Sequence, residues 1–151
     1  MIFPYSEVEF ILSSMSQIRS LVPWLPIELS LSKDFKMSAM PLGLLDSGAD
    51  TSILTKEAGK IIGIKKIKND KLVKMTGVGG GSIKGYIHKV YHRLHNPKDR
   101  SDTIVFEGDI VIADTTFQQT MPQSTAIWGR NSVFSETLIK FDDPKKFEIW
   151  I

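Results

Sequence analysis

"LLDSGADTS" (residues 44–52) sets an acid, a small hydroxyl and a glycine directly behind an apolar run that reads as a buried strand. A carboxylate at the end of such a strand is costly unless it is hydrogen-bonded, shares a proton or takes part in chemistry. Gly48 lets the chain reverse and brings backbone amides near Asp46, while Ser47 offers a donor and an acceptor to fix the turn. The tripeptide alone fits two readings: an Asx-type turn at a strand end, or a carboxylate held for catalysis.

On its C-terminal side, "ILTKEAGKIIGI" (53–64) predicts a short helix with Thr55 as N-cap, Glu57 in the first turn and Gly63 as the stop. On its N-terminal side, "WLPIELSLS" (24–32) alternates Ile27, Leu29 and Leu31 with Glu28 and Ser30, the period of a half-buried strand. Further on, "KLVKMTGVGGGSIKGYIHKVY" (71–91) reads as two strands, Leu72 to Val78 and Ile83 to Tyr91, joined by the glycine-rich tip Gly79, Gly80, Gly81. "TIVFEGDIVIAD" (103–114) supplies one or two strands around Gly108, and "TLIKFDDPKKFEIWI" (137–151) a closing hairpin about an Asp-Asp-Pro turn. The pattern predicts a mainly β domain with one or two short helices.

The 151 residues and 42% hydrophobic content suffice for one sizeable core. A formal charge of +2 points to no polyanionic partner, and the lysines at 56, 60, 65, 66, 68, 71 and 74 lack the interleaved aromatics of a nucleic-acid groove. With no cysteine the chain has no disulfide, thiolate site or cysteine nucleophile, which fits a reducing compartment. The opening residues do not read as a signal peptide, and no run reaches the ~18 apolar residues of a membrane span. A soluble cytoplasmic protein without membrane or nucleic-acid partners is expected. His88 and His92 share a face of their strand while His95 points the other way, with no acid at a ligand spacing, so neither a metal nor a cofactor is expected. The glycines at 77 and 79–81 match neither phosphate-binding pattern, because Ser82 stands where the last dinucleotide glycine falls and no Gly-Lys-Ser/Thr ending follows.

Taken in order, "LLDSGADTS", "MTGVGGGSIKGY" (75–86) and "AIWGRN" (126–131) resemble the retropepsins, the single-lobed aspartic proteases of retroviruses with cellular, bacterial and archaeal relatives. The resemblance runs over residues 25–151, implying a retropepsin-like domain there and leaving 1–24 as an N-terminal extension of uncertain structure. It implies an acid protease fold active as a homodimer, with Asp46 as the catalytic aspartate of each subunit. Ser47 would then bond across the dimer axis, Gly48 would offer backbone contacts to a peptide substrate, and Ala49 would complete the loop. Asp50 would pair with Arg130, whose planar guanidinium grips carboxylates. Val78, Gly79, Gly80 and Gly81 would form a flap tip over the substrate, and Ile127 a pocket wall. Trp128 departs from the family, which carries an aliphatic residue before Gly129. The rival reading keeps the fold as a peptide-binding or dimerisation module that does little proteolysis.

Overall fold

A computed structural model describes residues 1–11, 17–69, 71–76, 82–114, 125–142 and 145–151. Three strands open the chain: β1 (Ile2–Pro4), β2 (Ser6–Ile11) and β3 (Gln17–Val22). β4 (Trp24–Pro26), β5 (Glu28–Ser30), β6 (Ser38–Ala39), β7 (Leu42–Leu45) and β8 (Ile53–Leu54) lead to helix α1 (Lys56–Ile61). β9 (Leu72–Thr76), β10 (Ser82–His95), β11 (Thr103–Ala113) and β12 (Thr125–Trp128) follow, then helix α2 (Val133–Glu136) and the hairpin of β13 (Leu138–Asp142) and β14 (Lys146–Trp150). Among the described residues the fold is mainly β with two short helices, as the residue pattern predicts.

The main sheet runs β4-β7-β12-β8-β11-β10-β5-β6, with β9 paired to the free end of β10. β10 and β11 are its spine, antiparallel from Gly85↔Ala113 to His95↔Thr103. Residues 103–113 form one continuous strand, because Gly108 keeps its place in the ladder opposite Val90. The antiparallel pairing of β9 with β10, Ser82 opposite Thr76, gives the two strands expected on either side of the glycine-rich tip. The tip itself, Gly77 to Gly81, lies outside the described residues.

Fully buried Leu25, Ile27, Leu29, Leu54, Ile110, Ile112, Trp128 and Phe147 share one apolar core. Each such side chain contributes about 1.5–3 kcal/mol by leaving water. Trp128 fits because the neighbouring strand makes room for its indole. β12 lies parallel to β7, and a Cβ at Gly43 would come within 2.3 Å of the Trp128 ring nitrogen. That nitrogen donates to the Leu25 carbonyl at 2.8 Å, so the extra aromatic bulk brings no unpaired donor with it. Helix α1 has the predicted ends: the Thr55 hydroxyl accepts the Ala58 N–H, and Gly63 follows the last turn at a φ of 97°.

The alternation over 24–32 does not give one half-buried strand. It is divided into β4 and β5, and all of Glu28, Leu29 and Ser30 are buried while Leu31 is 45% exposed. The cause is position in the sheet. β5 lies between β10 and β6, and Glu28 faces Arg93 directly across the strand pair.

The opening residues take defined strands. β1 pairs with β14, which β13 flanks on its other side, and buried Phe3 stacks on Phe147 at 5.4 Å. β2 and β3 form a hairpin with a two-stranded sheet of their own. No helix among the described residues is long and apolar enough to cross a membrane.

Candidate active site

β7 delivers Asp46 to the end of the sheet. Its last residue, Leu45, donates to the Pro23 carbonyl at 3.1 Å, and the Asp46 N–H donates to the Trp128 carbonyl at 3.0 Å. The backbone at Leu45 and Asp46 is therefore held by the residue before β4 on one side and by the last residue of β12 on the other. Its side chain then closes the turn, with Oδ1 accepting the Gly48 N–H at 2.9 Å, and the Ala49 N–H returns to the Asp46 carbonyl at 3.1 Å. An Asx turn is thus present, and it uses one carboxylate oxygen only. Among the described residues Asp46 has no ion-pair partner, and it is half-buried, facing a cavity.

A second segment braces this loop step by step. The Arg130 N–H donates to the Ala49 carbonyl and the Asn131 N–H to the Asp50 carbonyl, each at 2.9 Å, and Thr51 bridges Asn131 in parallel. The two segments approach so closely at Gly129 that a Cβ would stand 2.4 Å from the Thr51 carbonyl and 2.9 Å from that of Ala49. Only glycine fits there without displacing backbone. Below the contact, the fully buried Ser52 hydroxyl accepts the Gly129 N–H at 3.0 Å and the Ser132 hydroxyl at 2.8 Å. Each of these hydrogen bonds contributes about 1 kcal/mol net, and losing a buried one costs more.

Outside this ladder, Arg130 Nη2 donates to Asp50 Oδ1, the pairing implied by the motif positions. Both side chains are largely in solvent, at 61% and 82% exposure, so the pair adds little beside the main-chain bonds. Ser47 is exposed on the loop.

The cavity against Asp46 has a volume of about 480 Å³. One wall is the loop itself, Asp46 with Gly48, Ala49 and Asp50. The floor is apolar: Ile53 is buried with Ala113, and Met75, Ile83 and Ile127 pack onto them. Ile127 thus lines the same cavity as Asp46. Met75 and Ile83, which face each other across β9 and β10, form the side toward the glycine-rich tip. Val78, Gly79, Gly80 and Gly81 lie outside the described residues. A second cavity, about 430 Å³, lies on the other side of Thr51 and is lined by Lys89, Asp109 and Glu136, without Asp46.

Sequence reading assigned no role to Ser52 or Ser132. Ser52 stands inside the quoted stretch, but its function depends on a residue 80 positions away. Ser132 adopts a φ of 90°, strained for a residue with a side chain, and no local pattern announces that. The three histidines serve structural ends. His88 Nε2 faces the Ile67 carbonyl at 2.8 Å, His95 Nε2 faces Glu28 at 2.8 Å, and His92 is stacked on Phe106 in the core. Among the described residues no group of three His, Asp or Glu side chains converges as a metal site.

No family model matches the chain, and no curated protein matches it significantly. Solved structures do. The EIAV protease complexed with the inhibitor HBY-793 is 21% identical over 72% of this chain and 82% of its own, with a TM-score of 0.41. The retroviral protease-like domain of Ddi1 from Leishmania major is 14% identical over 86% and 96%, with a TM-score of 0.41. A retropepsin-like aspartic protease from Rickettsia conorii is 12% identical over 95% of this chain and 98% of its own, with a TM-score of 0.48. The structures to which this chain is similar thus include a retroviral protease, a retroviral protease-like domain and a retropepsin-like protease.

Proposed function

We propose that this chain is one half of a homodimeric aspartic endopeptidase. The observation that carries the reading is the Asp46 carboxylate: it faces a cavity with an apolar floor, on a loop whose backbone is fixed from two strands and from the 129–132 segment. Such fixing is what a catalytic group needs, since its geometry has to hold without help from its own flexibility.

A single carboxylate cannot act as base and acid in the same step, and the sequence holds one Asp-Ser/Thr-Gly only. A second copy related by a two-fold axis supplies the other Asp46. Two carboxylates at about 3 Å cannot both ionise, so the pair shares one proton and titrates as a unit. The ionised member takes a proton from a water between them as its oxygen attacks the scissile carbonyl carbon. The protonated member gives its proton to the carbonyl oxygen, forming a tetrahedral diol. On collapse one diol hydroxyl returns its proton to the ionised member, the other member gives its proton to the nitrogen, the C–N bond breaks, and both peptides leave with the dyad back in its starting state.

The substrate in this reading is an extended peptide whose apolar side chain enters the cavity over Ile53 and Ile127. Val78 to Gly81 act as the tip of a flap that closes over it and excludes water. Residues 25–151 carry the motifs of the protease unit, with β1 packed onto it through Phe3, and neither metal nor cofactor takes part.

The test is cleavage of a disordered protein between pH 4 and 7 by wild type and by Asp46→Asn, with a statine-type inhibitor as control. Activity lost with both the substitution and the inhibitor supports the dyad. A folded, dimeric wild type that cleaves nothing overturns it and leaves a peptide-binding module.

A further inference from the structure

We infer that Ser132 is a positioning residue for Asp46, acting through a single peptide plane that lies between them. The inference rests on the protease reading above and deepens it by naming a residue, outside the motifs, that sets the place of the carboxylate.

The peptide unit joining Trp128 to Gly129 carries the link. Its carbonyl accepts the Asp46 N–H at 3.0 Å, and its N–H donates to the Ser52 hydroxyl at 3.0 Å. A peptide unit is planar and resists twisting, so a tilt imposed at one of these bonds reaches the other. Neighbours hold both of its ends. Trp128 is fully buried with its indole on the Leu25 carbonyl, and Gly129 lies against the carbonyls of Ala49 and Thr51. The tilt of the plane is then set by the oxygen that the Gly129 N–H meets.

Ser132 fixes that oxygen. A hydroxyl offers one proton and two lone pairs. In Ser52 all are engaged: it accepts from Gly129 and, at 2.8 Å, from the Ser132 hydroxyl, while its own proton goes to the Asn131 carbonyl at 3.3 Å. Removing the Ser132 hydroxyl leaves a buried lone pair unmatched and lets the Ser52 side chain turn away from Gly129.

Ser132 keeps this place against its own backbone preference. Its φ of 90° and ψ of −60° lie near the rare, strained γ-turn, which glycine adopts more easily. Room for it comes from Gly108 on β11, where a Cβ would stand 2.7 Å from that of Ser132. Its N–H donates to Ser135 Oγ at 3.1 Å, and the Ser135 N–H donates to the Arg130 carbonyl at 2.9 Å, so the conformation is enforced from the start of α2. Strain of this kind gathers at functional sites, where the surroundings over-determine it. The hydroxyl is what serine has and glycine lacks, and its partner is Ser52.

Three variants of the full chain test this with two readouts: steady-state peptide cleavage, and hydrogen exchange of the Asp46 amide followed by NMR. Ser132→Gly removes the hydroxyl and the strain together. Its melting temperature is expected to hold or rise, while the Asp46 amide exchanges about tenfold faster or more and kcat falls by about tenfold or more at unchanged KM. Ser52→Ala is expected to reproduce the changes in kcat and exchange, with some loss of stability. Thr137→Val removes another buried hydroxyl, bonded to the Val133 carbonyl at 2.6 Å, and is expected to lower the melting temperature without changing kcat. Wild-type kcat in Ser132→Gly overturns the positioning role, and wild-type exchange at Asp46 overturns the link through the peptide. A Ser132→Gly melting temperature that falls along with kcat, or an equal fall of kcat in Thr137→Val, makes the effect one of general loosening and overturns the inference too. A wild type that cleaves nothing, while exchange at Asp46 still rises in Ser132→Gly, overturns the protease reading and leaves the link standing.

Discussion

Glu28 and Asp46 belong to the same sheet, one within β5 and one at the end of β7, yet their surroundings differ at every oxygen. Glu28 receives Ser38 Oγ at 2.7 Å on one oxygen, and Arg93 and His95 at 2.8 Å each on the other. Burial alone would raise its pKa, but the bonds from Ser38, His95 and Arg93, helped by the guanidinium charge, bring it down to about 2. Asp46 receives one backbone amide, has no ion-pair partner among the described residues, and faces a cavity that Lys74 also lines. A carboxylate whose lone pairs are all engaged is fixed as an anion and serves structure. One left with free acceptor capacity at a cavity wall is open to a bound molecule, which is what the proposed role asks of it.

The sharpest way to break the contrast is to neutralise each acid with its amide. Asp46→Asn keeps an oxygen to accept the Gly48 N–H, so the turn survives while the exchangeable proton is lost. Peptide cleavage is expected to fall by about 10³-fold or more with an unchanged melting temperature, measured on the same preparation. Unfolding instead would make Asp46 structural. Glu28→Gln is expected to do the reverse. Removing one partner of a buried charge cluster costs about 3 kcal/mol, read by urea unfolding at pH 7, while cleavage per folded molecule stays near wild type. Because the Glu28 pKa is depressed on folding, its contribution is complete above the unfolded value of 4.5 and fades as the pH falls toward 2. The variant should lack that acid-side slope. A slope that persists would move the effect to another acid.

How the two acids were encoded explains how far the sequence could be read. Asp46 is announced by its neighbours: Leu44 and Leu45 before it, Ser47 and Gly48 after it, and a capped helix beginning at Thr55, all local features that survive folding unchanged. The pairing of Asp50 with Arg130 was legible too, but only from the motifs as a set. Glu28 was misread because alternation assigns faces on the assumption that one side of a strand meets water, and β5 is covered on both. What makes Glu28 tolerable, Arg93 and His95, lies 65 and 67 residues away. The same limit hides Ser132, whose hydroxyl matters only once Ser52 is folded beneath it. It also hides Gly43, whose missing side chain has a reason only when Trp128 lies on the next strand. The opening residues gave no reading because their partners are the C-terminal strand, each other and, at Pro23 and Trp24, the end of β7.

His92 extends the comparison to a buried base. Its ring is fully buried against Phe106, centroids 4.8 Å apart, and neither nitrogen has a hydrogen-bond partner in the described structure. Burial lowers its pKa from 6.5 to about 4, so the folded chain holds it neutral where the unfolded chain would already be protonated. The sign follows: stability is lost as the pH falls below about 6.5, and the loss levels off below about 4, reaching on the order of 3 kcal/mol. This window lies above that of Glu28, so the two separate in a pH series. His92→Phe should reduce the difference in unfolding free energy between pH 7 and pH 4 by that amount. The comparison within one variant cancels any repacking cost of the larger ring. An undiminished difference would show that other groups set the acid limit.

The smallest effect is expected where the motif looks strongest. Arg130→Ala removes the guanidinium that meets Asp50, but both side chains are more than half exposed, and the pair competes with water and salt. What joins residues 129–132 to the Asp46 loop is the Arg130 and Asn131 amides on the Ala49 and Asp50 carbonyls, together with the Gly129 amide on Ser52. Alanine leaves all three in place. The expected loss is below about 1 kcal/mol, shrinking further in 1 M salt, when thermal unfolding is measured at low and high ionic strength. A larger loss that salt does not reduce would mean that the guanidinium holds the loop through more than its charge, and the division of labour between main chain and side chain at this site would have to be redrawn.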